Sequence, residues 1–401
     1  MPTDPAPGPA IPLARWADRK LAELAELTGS DAIAALHGQS LVGQRGAANG
    51  WAVPGKASAG LGGSRLMQTR DGGWFALTLL RDVDREALPA LFLGDIEDVR
   101  DWSAIAAAVS RHEIAGLLER GRALGLPVAS ADEMPVAPPV EVMAEGARRD
   151  RPDNHRPLVL DLSAIWAGPL AGHLFWLTGA EVVKVESASR PDLIRRDDPG
   201  TFDVINQGKA NVALELAEPV HRDALIALIR RADIVIESSR PRALRHFGID
   251  ADALVRETPG LVWLSITGHG ASGEAANWAG VGNDCSVAAG LSRALADVTG
   301  EIGYVGDALT DPLTGITAAL EGWRAWRSGK AQRLGFSMSA IGAQALAEER
   351  AFDGALLEAE LRAWGEAVGR PFPATPPRPL TAPVHAFGAD TAEYLPELAP
   401  C

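Results

Sequence analysis

The sequence predicts an α/β protein whose core is a Rossmann-like, doubly wound parallel sheet, preceded by a small α+β domain. The main observation is that short apolar runs alternate with helical stretches, over 158–162, 181–185, 212–216, 233–236 and 261–266. Apolar strands that alternate with helices are typical of a parallel sheet covered on both faces. The second observation is a stretch over 135–157 that is first Pro-rich and then charged. Such a stretch indicates a boundary between domains.

The N-terminal part of the chain predicts mostly helices. An amphipathic helix over 13–28, ended by Gly29, is marked by apolar residues at helical spacing: Leu13, Trp16, Leu21, Leu24 and Leu27. The other predicted elements are a Gly- and Ala-rich loop over 40–63, a short strand over 74–80, and helices over about 84–93 and 101–124. We therefore expect a small domain over 1–134 and a linker over 135–156.

The remaining elements complete the core and follow it. A helix over 312–327 and a strand over 334–338 extend the expected core to 157–345. A further helix is expected over 340–366, and the Pro-rich stretch after it must cross the surface, because proline cannot donate to a sheet ladder. Residues 346–401 are thus expected to form a C-terminal helix and an extended tail.

Composition limits the classes of function. The chain has 401 residues, 47% of them hydrophobic, which is enough for a sizeable core. Its 52 acidic and 38 basic side chains give a net charge of −14, so we expect neither a nucleic-acid nor a membrane partner. Cys285 and Cys401 are too few for a disulfide framework or a cysteine-based zinc site. Without a signal peptide pattern or a long apolar run, the prediction is a cytoplasmic protein.

Several polar residues follow or precede predicted strands, where doubly wound folds bind ligands. Lys209 and Arg240 could contact a phosphate there, although a solvated turn lysine is the favoured interpretation of Lys209 on its own. His269 fits a plain surface histidine and an acid–base group equally well. The first β-to-α turn, 161–172, lacks the Gly-x-Gly-x-x-Gly spacing, which disfavours a nicotinamide or flavin dinucleotide.

Two aspartates, Asp307 and Asp311, precede the predicted helix over 312–327. Asp311 followed by Pro312 is typical of a helix N-cap, so local chemistry alone favours a structural role. The sequence contains no metal-ligand cluster, no Gly-x-Ser-x-Gly elbow and no P-loop. The sequence therefore lacks the residues that define zinc hydrolases, α/β-hydrolases and NTPases, and no metal is expected.

In combination, nine motifs in one order resemble the class III CoA-transferases, a family that also contains the α-methylacyl-CoA racemases. They lie at 159–163, 167–169, 179–186, 206–209, 232–237, 240–241, 268–270, 311–315 and 328–332. The family places its small domain after the core, whereas here the similar segments at 71–74 and 125–128 precede it. The resemblance therefore implies a small domain permuted to the N-terminus.

The resemblance also implies a reaction and its partners. An aspartate attacks an acyl-CoA thioester, and CoA passes through an aspartyl anhydride and an enzyme-CoA thioester to a carboxylic acid. Acyl-CoA and the acid are substrates, no permanently bound cofactor is expected, and a homodimer is expected. The family's Asp-x-x-x-Gly pattern makes Asp311 the nucleophile, whereas ungapped spacing back from Gln332 favours Asp307. We prefer Asp311 because its local pattern matches.

The family's CoA-binding positions fall on eight residues here: Ile165, Ala167, Lys209, Ser238, Ser239, Arg240, Ala243 and His246. Trp166 stands where the formyl-CoA enzyme has a polar residue, and Ser187 replaces an arginine often found in the family. These changes argue against formyl or oxalyl substrates and for a wider, apolar acyl site. Two alternatives remain open. One is a racemase-like isomerase, although Asn283 stands where racemases have histidine and cannot take the proton. The other is a non-catalytic acyl-CoA-binding relative in which Asp311 is only a helix cap.

Overall fold

The structure is a computed structural model that describes residues 9–60, 63–152 and 154–398. The described residues form an N-terminal helical segment, a small three-stranded lobe, and a larger lobe built around a seven-stranded sheet. The N-terminal segment and one face of the large sheet share a single apolar core, while the small lobe has a core of its own.

The N-terminal segment comprises α1 (Ala14–Thr28), α2 (Asp31–Ala34) and α3 (Gly38–Ala48). The predicted helix is α1, which ends where Gly29 takes a positive φ of 68°. Its apolar stripe is buried within the same chain, with Trp16 1% exposed. The range predicted as one small domain, 1–134, therefore packs in two places, because α1, α2 and α3 contact the larger lobe.

The small lobe has an antiparallel sheet in the order β1-β2-β3. Its strands are β1 (Ser64–Gln68), β2 (Trp74–Thr78) and β3 (Val128–Ser130), and its helices are α4 (Asp82–Glu86), α5 (Leu88–Leu91), α6 (Trp102–Val109) and α7 (Ile114–Leu124). Helix α6 begins after Asp101, whose carboxylate accepts from two backbone amides of the first turn. This lobe is the α+β unit that the sequence predicts.

The larger lobe confirms the predicted α/β fold class. Its strands are β4 (Val140–Arg148), β5 (Leu158–Asp161), β6 (Glu181–Ser187), β7 (Ala210–Leu214), β8 (Ile234–Glu237), β9 (Val262–Thr267) and β10 (Lys330–Ser337). The longer helices are α8 (Ala167–Leu177), α11 (Pro219–Arg231), α15 (Leu291–Thr299), α16 (Thr310–Ser328) and α17 (Met338–Glu366), the last with a break at Asp353. The shorter helices are α9 (Ile194–Asp197), α10 (Pro199–Asn206), α12 (Pro241–His246), α13 (Ala251–Glu257), α14 (Gly282–Ala288) and α18 (Thr391–Tyr394).

The strand order of the large sheet places a ligand site. The order is β4-β10-β9-β8-β5-β6-β7, and all neighbours pair in parallel except β4 with β10. The chain runs outward from β5 through β6 and β7 on one side, and through β8, β9 and β10 on the other. The order therefore reverses between β5 and β8, and ligands of such sheets bind in the crevice at that point.

Strand β4 lies in the range predicted to be a linker. It pairs antiparallel with β10 at the edge of the sheet. The sequence did not reveal it because an edge strand is largely exposed and so lacks a continuous apolar run: Glu141 and Glu145 alternate with Val142, which is itself 53% exposed. The linker is thus partly a strand of the larger lobe.

Apolar stripes and many tryptophans in a sequence can indicate a surface that a partner chain covers, but here this chain covers them. Leu21, Leu24, Trp323 and Trp326 are all buried in the core that the N-terminal segment shares with the larger lobe. They no longer argue for self-association, and the homodimer stays a prediction. Among the described residues, no helix combines the length and apolar character that crossing a membrane requires.

Candidate active site

Asp311 lies in the first turn of α16, which begins one residue earlier at Thr310. The side chain therefore does not cap its own helix, as the Asp-Pro pattern alone had suggested. It points instead to two neighbouring elements. The backbone N–H of Ala167, at the start of α8, interacts with the carboxyl group, and a Cβ on Gly282, at the start of α14, would lie 2.0 Å from Asp311 Oδ2.

The Asp311 carboxyl is only partly buried but strongly perturbed. Burial raises its pKa to about 7, and the nearby carboxylates of Asp307 and Asp284 act in the same direction. The Arg45 guanidinium and the Ala167 amide favour the ionised form and limit the rise. Close to neutral pH this group therefore exists both as an acid and as a carboxylate. Perturbed, accessible carboxyls of this kind are candidates for functional groups.

Asp307 differs from Asp311 in its access. Its side chain is 1% exposed, and burial raises its pKa. Neither of its carboxylate oxygens accepts a hydrogen bond from the described residues, and its charged neighbour is Arg45, whose Nε lies 3.1 Å from Asp307 Oδ2. The residue after it, Ala308, has a positive φ of 45°, a strained backbone of the kind that collects at functional sites.

Arg45 is a site residue that the sequence did not indicate. It comes from α3, in the range predicted as a Gly-rich loop. Its guanidinium carbon lies 5.1 Å from the ring centre of Trp51 and 4.8 Å from that of Trp166. Small residues permit this arrangement: a Cβ on Gly46, one position along the helix, would lie 2.8 Å from the ring of Phe372. The glycines within α3 therefore reflect close helix packing, whereas residues 49–60 contain no helix, as the predicted loop over 40–63 requires.

The start of α14 is held by hydrogen bonds to its own neighbours. Asp284 Oδ1 accepts from the backbone N–H of Val281 at 2.9 Å, and His269 Nε2 lies 3.3 Å from Asp284 Oδ2. His269 is 3% exposed, so it is not the plain surface residue considered above. Asn283 Oδ1 accepts from the backbone N–H of Ala308 at 3.1 Å. These contacts fix Gly282 against Asp311.

Lys209 is enclosed beneath the first loop instead of facing a ligand. Its amino group donates to Asp161 Oδ2 at 2.8 Å, to the Pro169 carbonyl at 2.7 Å and to Asn206 Oδ1 at 2.9 Å. All three protons of the ammonium group are thereby used. Burial alone would raise the pKa of Asp161, but Lys209 and Lys184 together hold it below the ordinary value. Lys209 thus holds the end of β5 and the start of α8 together.

The first loop is held from its other side as well. Ile165 has a positive φ of 71°, and its backbone N–H donates to both oxygens of Asp192, at 3.1 and 3.2 Å. Asp192 is itself paired with the buried Lys184 at 2.9 Å. A β-branched residue with positive φ is strained. The buried ion pair holds the loop in this conformation, with Ala167 directed at Asp311.

The loop after β8 lies beside the first loop, as the strand order requires. The Ala164 N–H points to Ser238 Oγ at 3.4 Å, and Ser239 Oγ donates to Glu237 Oε1 at 3.0 Å. Arg240 Nη2 donates to the Gly125 carbonyl at 3.0 Å and so links this loop to the small lobe. On the helix that follows, Ala243 is half-buried and His246 is exposed. Apart from the enclosed Lys209, the predicted CoA residues lie in the loops after β5 and β8 or in the helices that follow them, α8 and α12.

Comparison with known proteins agrees with this geometry. The sequence profile of CoA-transferase family III matches residues 157–366, just over half of the chain. The chain belongs to CoA-transferase family III. The matched range begins just before β5 and ends with α17, so it contains both aspartates and both loops of the candidate site.

Relatives with named activities match part of the chain. Succinate–glutarate CoA-transferase of Agrobacterium fabrum is 28% identical over 221 residues, which are 50% of this chain and 55% of that protein. Succinyl-CoA:mesaconate CoA-transferase of Haloarcula hispanica is 36% identical over 125 residues, 28% of this chain and 31% of that protein. The chain thus spans about half the length of the first relative and about a third of the second.

A solved structure also matches part of the chain. A CAIB/BAIF family protein from Brucella suis is 27% identical with a TM-score of 0.44, over 49% of this chain and 57% of that one.

Proposed function

We propose that this protein transfers CoA between an acyl-CoA thioester and a carboxylic acid, with Asp311 as the nucleophile. The observation that carries the proposal is the position of Asp311, a half-buried residue whose carboxyl lies beside the Ala167 N–H at the start of α8 and against Gly282 at the start of α14. A residue that served only as a helix cap would bond to the amides of its own first turn. This is the argument against a non-catalytic relative.

The proposed reaction proceeds in balanced steps. The Asp311 carboxylate attacks the thioester carbonyl carbon, and the carbon–sulfur bond breaks to give an aspartyl–acyl anhydride and CoA thiolate. The thiolate then attacks the aspartyl carbonyl of the anhydride, which releases the first acid and leaves an enzyme-CoA thioester. The carboxylate of the second acid attacks this thioester, and the carbon–sulfur bond breaks to give a second aspartyl–acyl anhydride and CoA thiolate. The thiolate then attacks the acyl carbonyl carbon of that anhydride, which gives the new acyl-CoA. The Asp311 carboxylate is regenerated.

Backbone amides at the start of α8 are placed to assist these steps. The Ala167 N–H interacts with the Asp311 carboxyl, and the free amides of a helix N-terminus favour negative charge. The same region can stabilise the oxyanion that forms on the carbonyl under attack. Strain at Ile165 supports this role, because the buried contacts with Asp192 keep the loop in a conformation that aims Ala167 at Asp311.

Asp311 is preferred to Asp307 as nucleophile because the two aspartates differ in their exposure and in the groups that surround them. Asp307 is enclosed beside Arg45, and a thioester carbon cannot reach an oxygen that is 1% exposed without a rearrangement. We assign Asp307 instead to the placement of Arg45. A racemase is disfavoured because Asn283, which has no ionisable proton, uses its side-chain oxygen to hold Ala308.

CoA itself is proposed to bind in the crevice between β5 and β8. The proposed contacts are the backbone and side chains of Ile165, Ala167, Ser238, Ser239, Arg240, Ala243 and His246. Lys209 contributes indirectly, since its buried amino group holds the first loop. Acids similar to those named for the relatives, such as succinate and glutarate, are the first acceptors to test.

The test is exchange of isotopically labelled CoA into an acyl-CoA, followed by mass spectrometry for an enzyme-CoA adduct. We expect exchange and the adduct with the wild-type protein, neither with Asp311→Asn, and measurable exchange with Asp307→Asn. Binding alone cannot exchange free CoA into a thioester. Tight CoA binding without exchange or adduct, over a panel of acyl-CoA esters, would therefore contradict the proposal.

A further inference from the structure

Arg45 presents one edge of its guanidinium to the candidate site while the other edge is occupied. The ion pairs run through Nε, which lies 3.1 Å from Asp307 Oδ2 and 3.8 Å from Asp198 Oδ2. Within the described part of the chain, Nη1 and Nη2 make no hydrogen bond and neither is enclosed, and the side chain is 21% exposed. A guanidinium binds a carboxylate best through two parallel N–H groups, and the Nη pair remains available for that.

The orientation of this guanidinium is fixed before any ligand arrives. Trp51 and Trp166 lie within cation–π distance of it, and Trp166 is only 2% exposed. Holding a long, flexible side chain in one orientation removes much of the entropic cost of ligand binding. The arrangement thus has the features of a preformed anion receptor, with one planar cation, aromatic walls and an open hydrogen-bonding edge.

The receptor is adjacent to the reacting group. Trp166 immediately precedes Ala167, whose amide interacts with Asp311, and Arg45 is close enough to lower the pKa of Asp311. A substrate attached at Asp311 therefore has its far end near Arg45. When Asp311 is part of an anhydride or thioester it is uncharged, so the positive charge of Arg45 then faces one carboxylate fewer.

We propose that Arg45 binds a carboxylate at the far end of a short acyl group and thereby selects dicarboxylic over monocarboxylic acids. This inference rests on the proposed function and adds the substrate class to it. It corrects the expectation of a purely apolar acyl site, because the indole of Trp166 stacks on a cation instead of facing an empty apolar pocket. The bidentate contact is a pair of charge-assisted hydrogen bonds, the stronger kind in proteins.

The kinetic test uses two thioesters of equal chain length, succinyl-CoA and butyryl-CoA, which differ in the terminal carboxylate. At about pH 9, where Asp311 is ionised in both proteins, we expect Arg45→Met to lower kcat/KM for succinyl-CoA by about tenfold or more, equivalent to about 1.4 kcal/mol, and to change that for butyryl-CoA by less than about threefold. Arg70→Met removes an exposed arginine of the small lobe, which pairs with Glu113, and should change neither. An equal loss with both thioesters, or no loss with either, would overturn the inference.

A binding measurement separates this inference from the proposed function. In an Asp311→Asn background, which cannot turn over, calorimetry should show tighter binding of succinyl-CoA than of butyryl-CoA, and Arg45→Met should abolish that preference. If wild type exchanges no CoA but the preference exists, the proposed function fails and the receptor stands. If the preference is absent, the receptor fails. Should Arg45→Met leave the buried Asp307 charge unpaired and unfold the protein, Arg45→Met combined with Asp307→Asn gives the same comparison.

Discussion

At the scale of single residues, the site depends on the balance of charge around Asp311. Burial and the neighbouring carboxylates of Asp307 and Asp284 oppose ionisation, whereas Arg45 and the Ala167 amide favour it. The balance sets the fraction of the protein with an attacking carboxylate. Because a carboxylate is the nucleophile in the proposed reaction, pH controls the rate through this one group.

The expected pH profile follows from the raised pKa of Asp311. The pKa of about 7 means that kcat/KM for CoA exchange should rise with pH through neutrality and then level off. Removing the positive charge in Arg45→Met should raise the pKa of Asp311 further and move the rise to higher pH. Rates measured between about pH 5 and about pH 9 test this. A profile already flat below about pH 6 would show that Asp311 is an ordinary, fully ionised carboxylate.

At the scale of elements, the site is made by the starts of three helices, α8, α14 and α16, which meet around Asp311. Glycine is required where they approach. Gly282 lies against the Asp311 carboxyl, and a Cβ on Gly315 would lie 2.8 Å from the Ala167 carbonyl oxygen. At both positions a side chain is excluded by lack of space and not by the backbone conformation, since neither residue has a positive φ.

Gly282→Ala should displace Asp311 and lower CoA exchange by at least about 100-fold, since small misplacements of reacting groups are costly. The added methyl group would overlap Asp311 Oδ2 and the Ala308 side chain. Gly200→Ala is the matched control, because a Cβ there meets nothing within 4 Å. Thermal unfolding should show that both variants fold. Full activity in Gly282→Ala would mean that Asp311 is not held against α14.

The buried lysine beneath the first loop gives a second test at this scale. Lys209→Met leaves the Asp161 carboxylate buried without its closest cation, so we expect a loss of about 3–5 kcal/mol in the free energy of unfolding. Lys330→Met, at an exposed position, should change it by less than about 0.5 kcal/mol. Urea unfolding measures both. If Lys209→Met is as stable as wild type but binds CoA weakly, the result would instead support a direct contact between Lys209 and a phosphate of CoA.

The sequence predicts the core of the site better than its periphery. The strands β5, β8 and β9 are buried along most of their length, so their apolar runs are continuous and their carboxyl ends could be located. Arg45 could not be found this way, because its role depends on contacts with residues far away in the sequence, Trp166 and Asp307. The burial of Lys209 was hidden for a similar reason, since its three acceptors come from three separate segments.

At the scale of the whole molecule, the N-terminal segment completes the larger lobe. Helix α1 packs on α16 and α17, and α3 supplies Arg45, so residues outside the family's matched range contribute to the site. The small lobe is attached through Arg240 and Gly125 near the proposed CoA crevice. The permutation of the small domain, and the homodimer, stay predictions.

Trp16 tests whether the N-terminal segment and the matched range fold as one unit. It is 1% exposed, and its Nε1 donates to Glu348 Oε2 at 2.7 Å. Trp16→Ala should cost about 3–5 kcal/mol and speed amide hydrogen exchange along α16. Leu93→Ala, at a residue 71% exposed in the small lobe, is the control and should leave α16 unchanged. Unchanged exchange in α16 with the Trp16 variant would mean that the segment folds independently.

The central claim is that Asp311 carries the acyl group and then CoA during turnover. The most direct measurement is hydroxylamine trapping during turnover with an acyl-CoA, followed by peptide mass spectrometry, because hydroxylamine converts an activated carboxyl to a hydroxamate and ignores a resting one. We predict a hydroxamate on Asp311 that depends on acyl-CoA and is absent from Asp311→Asn. A hydroxamate on Asp307, or none on either aspartate while CoA is exchanged, would contradict this account.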